Sequence, residues 1–187
     1  MPRLRNVLAG VAAGLLALAY LAAAAIGLVP GLGWYHDRSF TREIAGCPVI
    51  LGVPERSFDS PRSFNGDGYS VVRLNLPSAL PACMANLGPR LSKYPSRVSY
   101  REDWFVISWR HPPLSKLESE LTNWALNAEA PDLENEIRLS LGRPSTWYAI
   151  RYKGGPTTFG DPFLIQNVDL FVVDTTTHKL YLLNMNT

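Results

Sequence analysis

The fold is decided by the stretch VDLFVVDTTTHKLYLLN, which occupies residues 168–184. Residues 168–174 and 179–184 are rich in β-branched, aromatic and other apolar side chains, as strands are. A polar segment of four residues, 175–178, separates the two runs, and this length is typical of a hairpin loop. The end of the chain therefore predicts two adjacent antiparallel strands.

Further strands are predicted upstream of this hairpin. Residues 69–76 alternate, with Val72 and Leu74 on one face and Tyr69 and Val71 on the other, and residues 147–153 are rich in aromatic and β-branched types. The remaining candidates are a short buried strand at 48–53 and a hairpin formed by residues 98–100 and 104–109 around the polar turn 101–103. Because strands outnumber helices and short turns join them, we expect an α+β domain with a mainly antiparallel sheet.

One long helix is expected to cover this sheet. Its apolar positions recur at helical spacing: Leu114, Leu117, Leu121, Trp124 and Ala128. Ser115 and Glu118 match the S-x-x-E capping box at its start, and Glu118 falls outside the apolar stripe. Pro131 marks its end.

The segments between these elements receive simpler interpretations. Residues 54–68 are rich in Ser, Pro, Gly, Asp and Asn and predict a long loop, and residues 78–91 predict a short helix that carries Cys83. Residues 133–141 fit both a helix and an alternating strand, and we favour the strand.

The beginning of the chain predicts a transmembrane helix. Residues 7–29 form a run of 23 positions without a charged side chain. At about 1.5 Å per residue such a helix spans roughly 34 Å, enough to cross a hydrocarbon core. Arg3 and Arg5 precede the run with no acidic residue, so the positive-inside bias keeps the N-terminus in the cytoplasm.

A cleaved signal peptide is the alternative, because the four alanines at 22–25 offer cleavage sites. Cleavage there would leave the apolar start Ile26-Gly-Leu-Val-Pro, so we favour an uncleaved anchor. Under either interpretation residues 1–33 are the targeting segment, residues 34–46 a linker and residues 47–187 an exported domain. We expect a single-pass protein of a bacterial inner membrane with its domain in the periplasm.

Charge and cysteine content agree with export. The chain has 18 basic and 16 acidic residues, and without Arg3 and Arg5 the counts are 16 and 16, so no excess of basic residues favours nucleic acid as a partner. The two cysteines, Cys47 and Cys83, lie in the exported part, where an oxidising compartment favours a disulfide. Two buried free thiols are the alternative.

Few residues are candidates for chemistry. Asp67 lies between two glycines in the segment NGDG, residues 65–68, which could present a carboxylate but lacks the further ligands of a calcium loop. His111 is one of three histidines that are far apart in sequence and match no metal motif. We therefore expect no cofactor, no metal and no assigned catalytic residue, with Asp67 and His111 as weak functional candidates.

Aromatic side chains are the better candidates for recognition. Trp104 and Trp109 have opposite parity on one predicted strand, so one of them should face outward. Exposed tryptophans anchor protein interfaces, whereas buried ones belong to the core. We expect any contact surface to include one member of this pair.

Three features together carry a resemblance. They are the turn at residues 64–68, Trp147-Tyr148 opening a strand, and the final hairpin with Asp174-Thr175 and Leu180-Tyr181. In these the chain resembles a loose group of short bacterial proteins without an assigned function. It departs from the group at Asn65 and at its asparagine-rich end. The resemblance implies a bacterial, single-domain protein and no catalytic residue.

These observations favour an interaction module, a membrane-anchored periplasmic domain that binds a protein or an envelope component, for instance as an immunity or inhibitor protein. The alternatives are a hydrolase acting on envelope material, with Asp67 and His111 in its site, and a structural subunit of a membrane assembly. An enzyme should show a pocket where polar groups with shifted pKa values converge. An interaction module should expose an apolar patch near Trp104 or Trp109.

Overall fold

A computed structural model of the chain describes most of its second half and several shorter stretches before it. The described residues are 10, 11, 13–20, 44, 46, 49, 51–61, 68–80, 82–85, 87, 104–126, 129–155 and 164–186. The strands among them are β1 (Arg56–Asp59), β2 (Gly68–Asn75), β3 (Phe105–Arg110), β4 (Thr146–Gly155), β5 (Leu164–Asp174) and β6 (Lys179–Asn186). The helices are α1 (Ala82–Ala85), α2 (Lys116–Ala125) and α3 (Pro131–Leu141).

The six strands form one sheet in the order β1-β2-β6-β5-β4-β3, and every neighbouring pair is antiparallel. The predicted C-terminal hairpin is confirmed, with Asp174 opposite Lys179 at its closed end. Asp174 also shapes the turn, since its carboxylate accepts the backbone N–H groups of Thr176 and Thr177. The expectation of an α+β domain with a mainly antiparallel sheet is confirmed.

Two helices, α2 and α3, cover one face of the sheet, where a single long helix was expected. We call this face the helix face. The predicted alternation of β2 is confirmed there, because Tyr69 and Val71 pack against the helices while Leu74 faces the other way. The buried core on the helix face includes Leu121, Leu133, Ile137, Tyr148, Ile150, Val168, Leu170, Val172, Tyr181 and Leu183.

The opposite face of the sheet has a second buried core. Segments that precede β1 and follow β2 supply Ile44, Val49, Leu51, Met84 and Leu87 to it. The described positions in the predicted strand at 48–53 lie outside any strand, although Val49 and Leu51 are buried as that prediction required. The short helix predicted around Cys83 is confirmed as α1.

Helix α2 begins with the predicted capping box. The Ser115 hydroxyl accepts the Glu118 backbone N–H at 3.3 Å, and the Glu118 carboxylate accepts the Ser115 backbone N–H at 2.6 Å. The prediction of its apolar stripe is partly wrong, because Leu117 is exposed whereas Glu118 is buried. Glu118 tolerates burial because it also forms an ion pair with Arg110 at 3.1 Å.

Residues 133–141 belong to α3, so the preference for a strand was wrong. Leu133, Ile137 and Leu141, spaced four residues apart, form one buried row against the sheet. Pro131 lies at the first helical position and Asp132 in the first turn, where a missing N–H and a negative charge both favour a helix start.

The prediction of a loop over residues 54–68 is partly wrong, because residues 56–59 form strand β1. This edge strand pairs with β2, and its Arg56 forms ion pairs with Asp132 and Glu136 of α3 at 3.3 Å. Gly68 already belongs to β2. Residues 62–67, including most of the predicted turn, lie outside the described residues.

Two other expectations fall wholly or partly on residues that the structure leaves undescribed. Residues 98–103 of the predicted hairpin are among them, and the described strand β3 pairs with β4. In the N-terminal run, residues 10, 11 and 13–20 are helical. Within the described residues, no helix combines the length and apolar character needed to cross a membrane. The transmembrane anchor stays a prediction.

Candidate functional site

Strand β3 lies at one edge of the described sheet and carries exposed apolar side chains. It pairs with β4, where Phe105 lies opposite Tyr152 and Val106 opposite Arg151. Phe105 is 52% exposed and Val106 is 40% exposed. We call Trp104, Phe105 and Val106 the β3 edge surface. In general, the unpaired backbone groups of an edge strand can pair with another chain, and large exposed apolar groups can add to such a contact.

The aromatic side chains of the β3 edge surface are held by residues of β4. The Phe105 ring stacks on the Tyr152 ring with centroids 5.1 Å apart and an angle of 22° between the planes. The guanidinium carbon of Arg151 lies 5.3 Å from the centroid of the partly buried Trp104 ring, within the range of a cation–π contact. These contacts orient two aromatic groups on the two sides of one strand.

Trp109 has a different environment. It is buried at 6% exposure, its indole N–H donates to the carbonyl of Ile44 at 2.9 Å, and its ring contacts Phe171. Strict alternation predicts opposite faces for Trp104 and Trp109, but a register shift between Ile107 and Arg110 brings both to the face opposite the helices. Of the predicted pair, only Trp104 reaches the surface.

A row of polar side chains crosses the centre of the sheet next to Trp104. Arg151 lies opposite Asp169 in the β4–β5 pairing, and Asp169 lies opposite Asn184 in the β5–β6 pairing. The Asn184 amide donates to a carboxylate oxygen of Asp169. Arg151 is 1% exposed and Asp169 is 6% exposed. We call Arg151, Asp169 and Asn184 the polar row.

The electrostatics of the polar row favour a proton on Asp169 over a wider pH range than usual. Burial raises the pKa of Asp169 to about 6, and the hydrogen bond from Asn184 and the charge of Arg151 oppose that rise. The described part of the chain therefore contains a buried carboxyl group with a raised pKa, paired across β4 and β5 with Arg151, which contacts Trp104. Sequence reasoning missed this row, although charged residues at the centre of otherwise apolar strands were a signal.

The other buried carboxylates fasten the helices to the sheet. Glu134 accepts the Tyr69 hydroxyl and the Ala130 backbone N–H, both at 3.1 Å. Asp174 accepts the Ser140 hydroxyl at 2.9 Å and forms an ion pair with Arg143. Burial would raise the pKa of Asp174, but its hydrogen bonds outweigh burial and lower it. These contacts are fully explained by stability.

His111, one of the two weak candidates, lies exposed just after β3. Its Nδ1 donates to the Thr146 carbonyl at 2.8 Å, and its ring centroid is 3.8 Å from that of Trp147. The other candidate, Asp67, lies outside the described residues, so its position relative to His111 is not established. Over the described ranges, no three His, Cys, Asp or Glu side chains are grouped as a metal site requires.

An open cavity of about 240 Å³, which no sequence pattern predicted, lies between α2 and α3. Arg138 is the charged residue in its lining, and its guanidinium donates to the Asn123 side chain at 2.8 Å and to the Leu126 carbonyl at 3.0 Å. Because these bonds join the two helices, Arg138 serves helix packing here. The cavity lining contains no carboxyl or imidazole group that could act as an acid or base.

Cys47 lies outside the described residues, so the disulfide between Cys47 and Cys83 stays a prediction. Its sequence neighbours are placed: Ile44 and Val49 flank Cys47, Met84 follows Cys83, and all three belong to the same buried core. This core brings the two cysteine-bearing segments into one region of the domain.

Function for this chain is therefore inferred from its own residues. No family model, curated protein or solved structure matches the chain.

Proposed function

We propose that this chain is a membrane-anchored periplasmic interaction module that binds a protein partner of the cell envelope through the β3 edge surface. The observation that carries the proposal is the exposure of Phe105 and Val106 beside Trp104 on an edge strand. When a partner removes apolar and aromatic groups at such positions from water, the free energy of the complex is lowered.

The support for these side chains suits recognition. Trp104 and Phe105 are already oriented by Arg151 and Tyr152, so binding immobilises few additional rotamers. The two rings lie on the two sides of the strand, because Arg151 and Tyr152 are neighbours on β4 and point to opposite faces. A partner segment that adds alongside β3 would contact both rings and meet backbone groups of the edge.

The anchor and the disulfide belong to the same proposal and rest on the sequence. The uncharged run at residues 7–29 supports insertion into the inner membrane. An oxidising compartment favours a disulfide between Cys47 and Cys83, and closing the loop of about 37 residues would add about 4 kcal/mol in the chain-entropy model. Membrane tethering would hold the β3 edge surface close to the envelope component that it binds.

Site-specific photo-crosslinking in intact cells tests the binding surface. A photo-reactive phenylalanine replaces Phe105 or Val106 in the full-length chain, and a matched control carries it at Leu139, which is 66% exposed on α3. We expect a discrete crosslinked protein from positions 105 and 106 and none from position 139. Absence of an adduct from both edge positions, or the same adduct from all three, would overturn the proposed surface.

Cell fractionation tests the proposed membrane anchor, and thiol labelling tests the proposed disulfide. We expect the full-length chain in the membrane fraction after carbonate washing, with Cys47 and Cys83 resistant to alkylation until a reductant is added. Recovery of the intact chain in the soluble fraction would contradict the predicted membrane anchor. Labelling of both cysteines without reductant would contradict the predicted disulfide.

A further inference from the structure

Strand β1 buries little of its side-chain surface. It has four residues and covers only residues 70–73 of the eight-residue strand β2. Three of its four side chains are exposed, and only Phe58 is partly buried, where its ring contacts the Tyr69 ring with centroids 6.0 Å apart. Strand β1 therefore adds a single side chain to the core on the helix face.

Ion pairs between partly exposed groups make up most of the other side-chain contacts of β1. Arg56, whose side chain is 42% exposed, pairs with two carboxylates of α3 at 3.3 Å. Glu55, directly before β1, pairs with Arg73 at 3.2 Å and with Lys179 at 2.5 Å, and its side chain is 38% exposed. Ion pairs of this kind contribute little to stability and are weakened further by dissolved salt.

The chain is anchored on both sides of β1. Leu51 precedes the strand and is buried in the core opposite the helices, whereas Tyr69 follows it and is buried on the helix face. Between these anchors, each of the described residues 52–61 is exposed or partly exposed. The Ser60 hydroxyl accepts the Tyr69 backbone N–H at 2.7 Å and marks the end of the pairing. Strand β1 can therefore leave the sheet while both anchors stay in place.

Strand β2 keeps its place in the sheet without β1. All eight of its residues pair with β6. Arg73 also pairs with Glu136 of α3 at 2.6 Å, and Lys179 donates to the Asn75 side chain at 2.5 Å. Neither contact involves β1, so its departure would open one edge of β2 without separating β2 from β6.

We propose that residues 55–60, which we call the β1 strap, open by local unfolding while the rest of the sheet stays folded, and that salt favours the open form. In the closed form, the strap occupies the backbone groups of residues 70–73. In the open form, these groups are a free sheet edge of the kind that extended chains bind. Strands β1 and β3 lie at opposite ends of the described sheet, so the strap does not depend on the β3 edge surface.

Native-state hydrogen exchange, followed by NMR of the full-length chain in detergent micelles, tests the strap without a partner. Successive residues of a strand direct their backbone N–H groups to opposite neighbours, so alternate amides of β2 report on β1 and on β6. We expect the β1-facing amides to have protection factors at least about tenfold lower than the β6-facing amides. Raising NaCl from about 50 mM to about 500 mM should lower only the former, by about three- to tenfold.

Variants separate strap opening from a general loss of stability. Arg56→Gln removes both ion pairs to α3, so it should lower the protection of the β1-facing amides by about three- to tenfold at low salt. The β6-facing amides should keep their wild-type protection. Phe58→Ala removes the ring contact and should lower the protection of the β1-facing amides at both salt concentrations. Lys116→Gln, at an exposed position of α2, is the matched control and should change neither set.

Equal protection of the two sets of β2 amides would overturn the proposal, because β1 would then open only with the whole sheet. The proposal also fails if salt changes both sets equally, or if either salt or Arg56→Gln leaves the β1-facing amides unchanged. The salt experiment uses the wild-type chain and does not depend on the folding of a variant. None of these outcomes bears on the crosslinking test of the β3 edge surface.

Discussion

Ile137 is completely buried in α3, whereas Leu139, two residues further along the same helix, is 66% exposed. In a strand the two side chains would share a face, but at about 100° per residue in a helix they point in different directions. Ile137 contacts the core on the helix face, together with Leu133 and Leu141.

This difference predicts unequal effects of two similar truncations. Ile137→Ala should lower the free energy of unfolding by about 2–5 kcal/mol, because it removes buried methyl groups and leaves a cavity. Leu139→Ala should change it by no more than about 0.5 kcal/mol, since its side chain is in solvent. Urea unfolding of both variants measures the difference. Equal losses would contradict the orientation of α3.

Asp174 joins three segments at one end of the sheet, and this predicts a large effect of removing its carboxylate. It is fully buried and accepts hydrogen bonds from Ser140 of α3 and from the turn between β5 and β6. Asp174→Ala should lower the free energy of unfolding by about 3 kcal/mol, because several buried donors lose their acceptor.

The matched control for Asp174 is an exposed carboxylate. Asp132→Ala removes an ion pair to Arg56 in which the Asp132 side chain is 79% exposed and the Arg56 side chain 42%, so it should change the free energy of unfolding by less than about 1 kcal/mol. Chemical unfolding of both variants at pH 7 gives the comparison. If Asp132→Ala lowered the free energy of unfolding as much as Asp174→Ala, the burial of the carboxylate would not explain the size of the destabilisation.

The capping box of α2 predicts a smaller and local effect. Ser115→Ala removes the hydroxyl that accepts the Glu118 backbone N–H, and it should lower the free energy of unfolding by about 1 kcal/mol. Lys116→Ala, at the next and exposed position, should have little effect because alanine is at least as good a helix former. If the two variants proved equally stable in urea, the cap would contribute nothing measurable.

Local sequence correctly predicts the elements in which the spacing of apolar residues fits a helix or a strand but not both. The β5–β6 hairpin has two apolar runs of strand length joined by a polar turn, and α2 has both a capping box and helical spacing. In residues 133–141, the spacing of the apolar side chains fits both a helix and an alternating strand. The choice is made by the core against which Ile137 packs, which is not visible in the local pattern.

The site depends on pairing between distant strands, which a single sequence does not reveal. Arg151, Asp169 and Asn184 are separated along the chain by 15 residues or more, and only the register of β4, β5 and β6 places them side by side. Trp104 was predicted as a surface candidate, but a bulge in β3, rather than parity alone, decides that Trp109 is buried.

The raised pKa of Asp169 predicts an unusual dependence of stability on pH. An aspartate in the unfolded chain has a pKa of about 3.9, whereas the folded value is about 6. Between these values the folded state binds more protons than the unfolded state, so the contribution of Asp169 to stability falls as the pH rises. The contribution is fully present below about pH 4 and is lost above about pH 6, a difference of about 3 kcal/mol from a shift of two pKa units.

Asp169→Asn isolates this contribution because asparagine does not titrate and can still accept the Asn184 amide. Urea unfolding from pH 4 to pH 7.5 should show that the variant gains stability relative to wild type as the pH rises, by about 3 kcal/mol over the whole range. Every other ionisable group is present in both proteins, so its effect cancels in the difference. Asp59→Asn, whose carboxylate is exposed, should instead give a curve parallel to wild type. A difference between Asp169→Asn and wild type that stays constant with pH would mean that the pKa of Asp169 is the same in the folded and unfolded states, and that burial does not raise it.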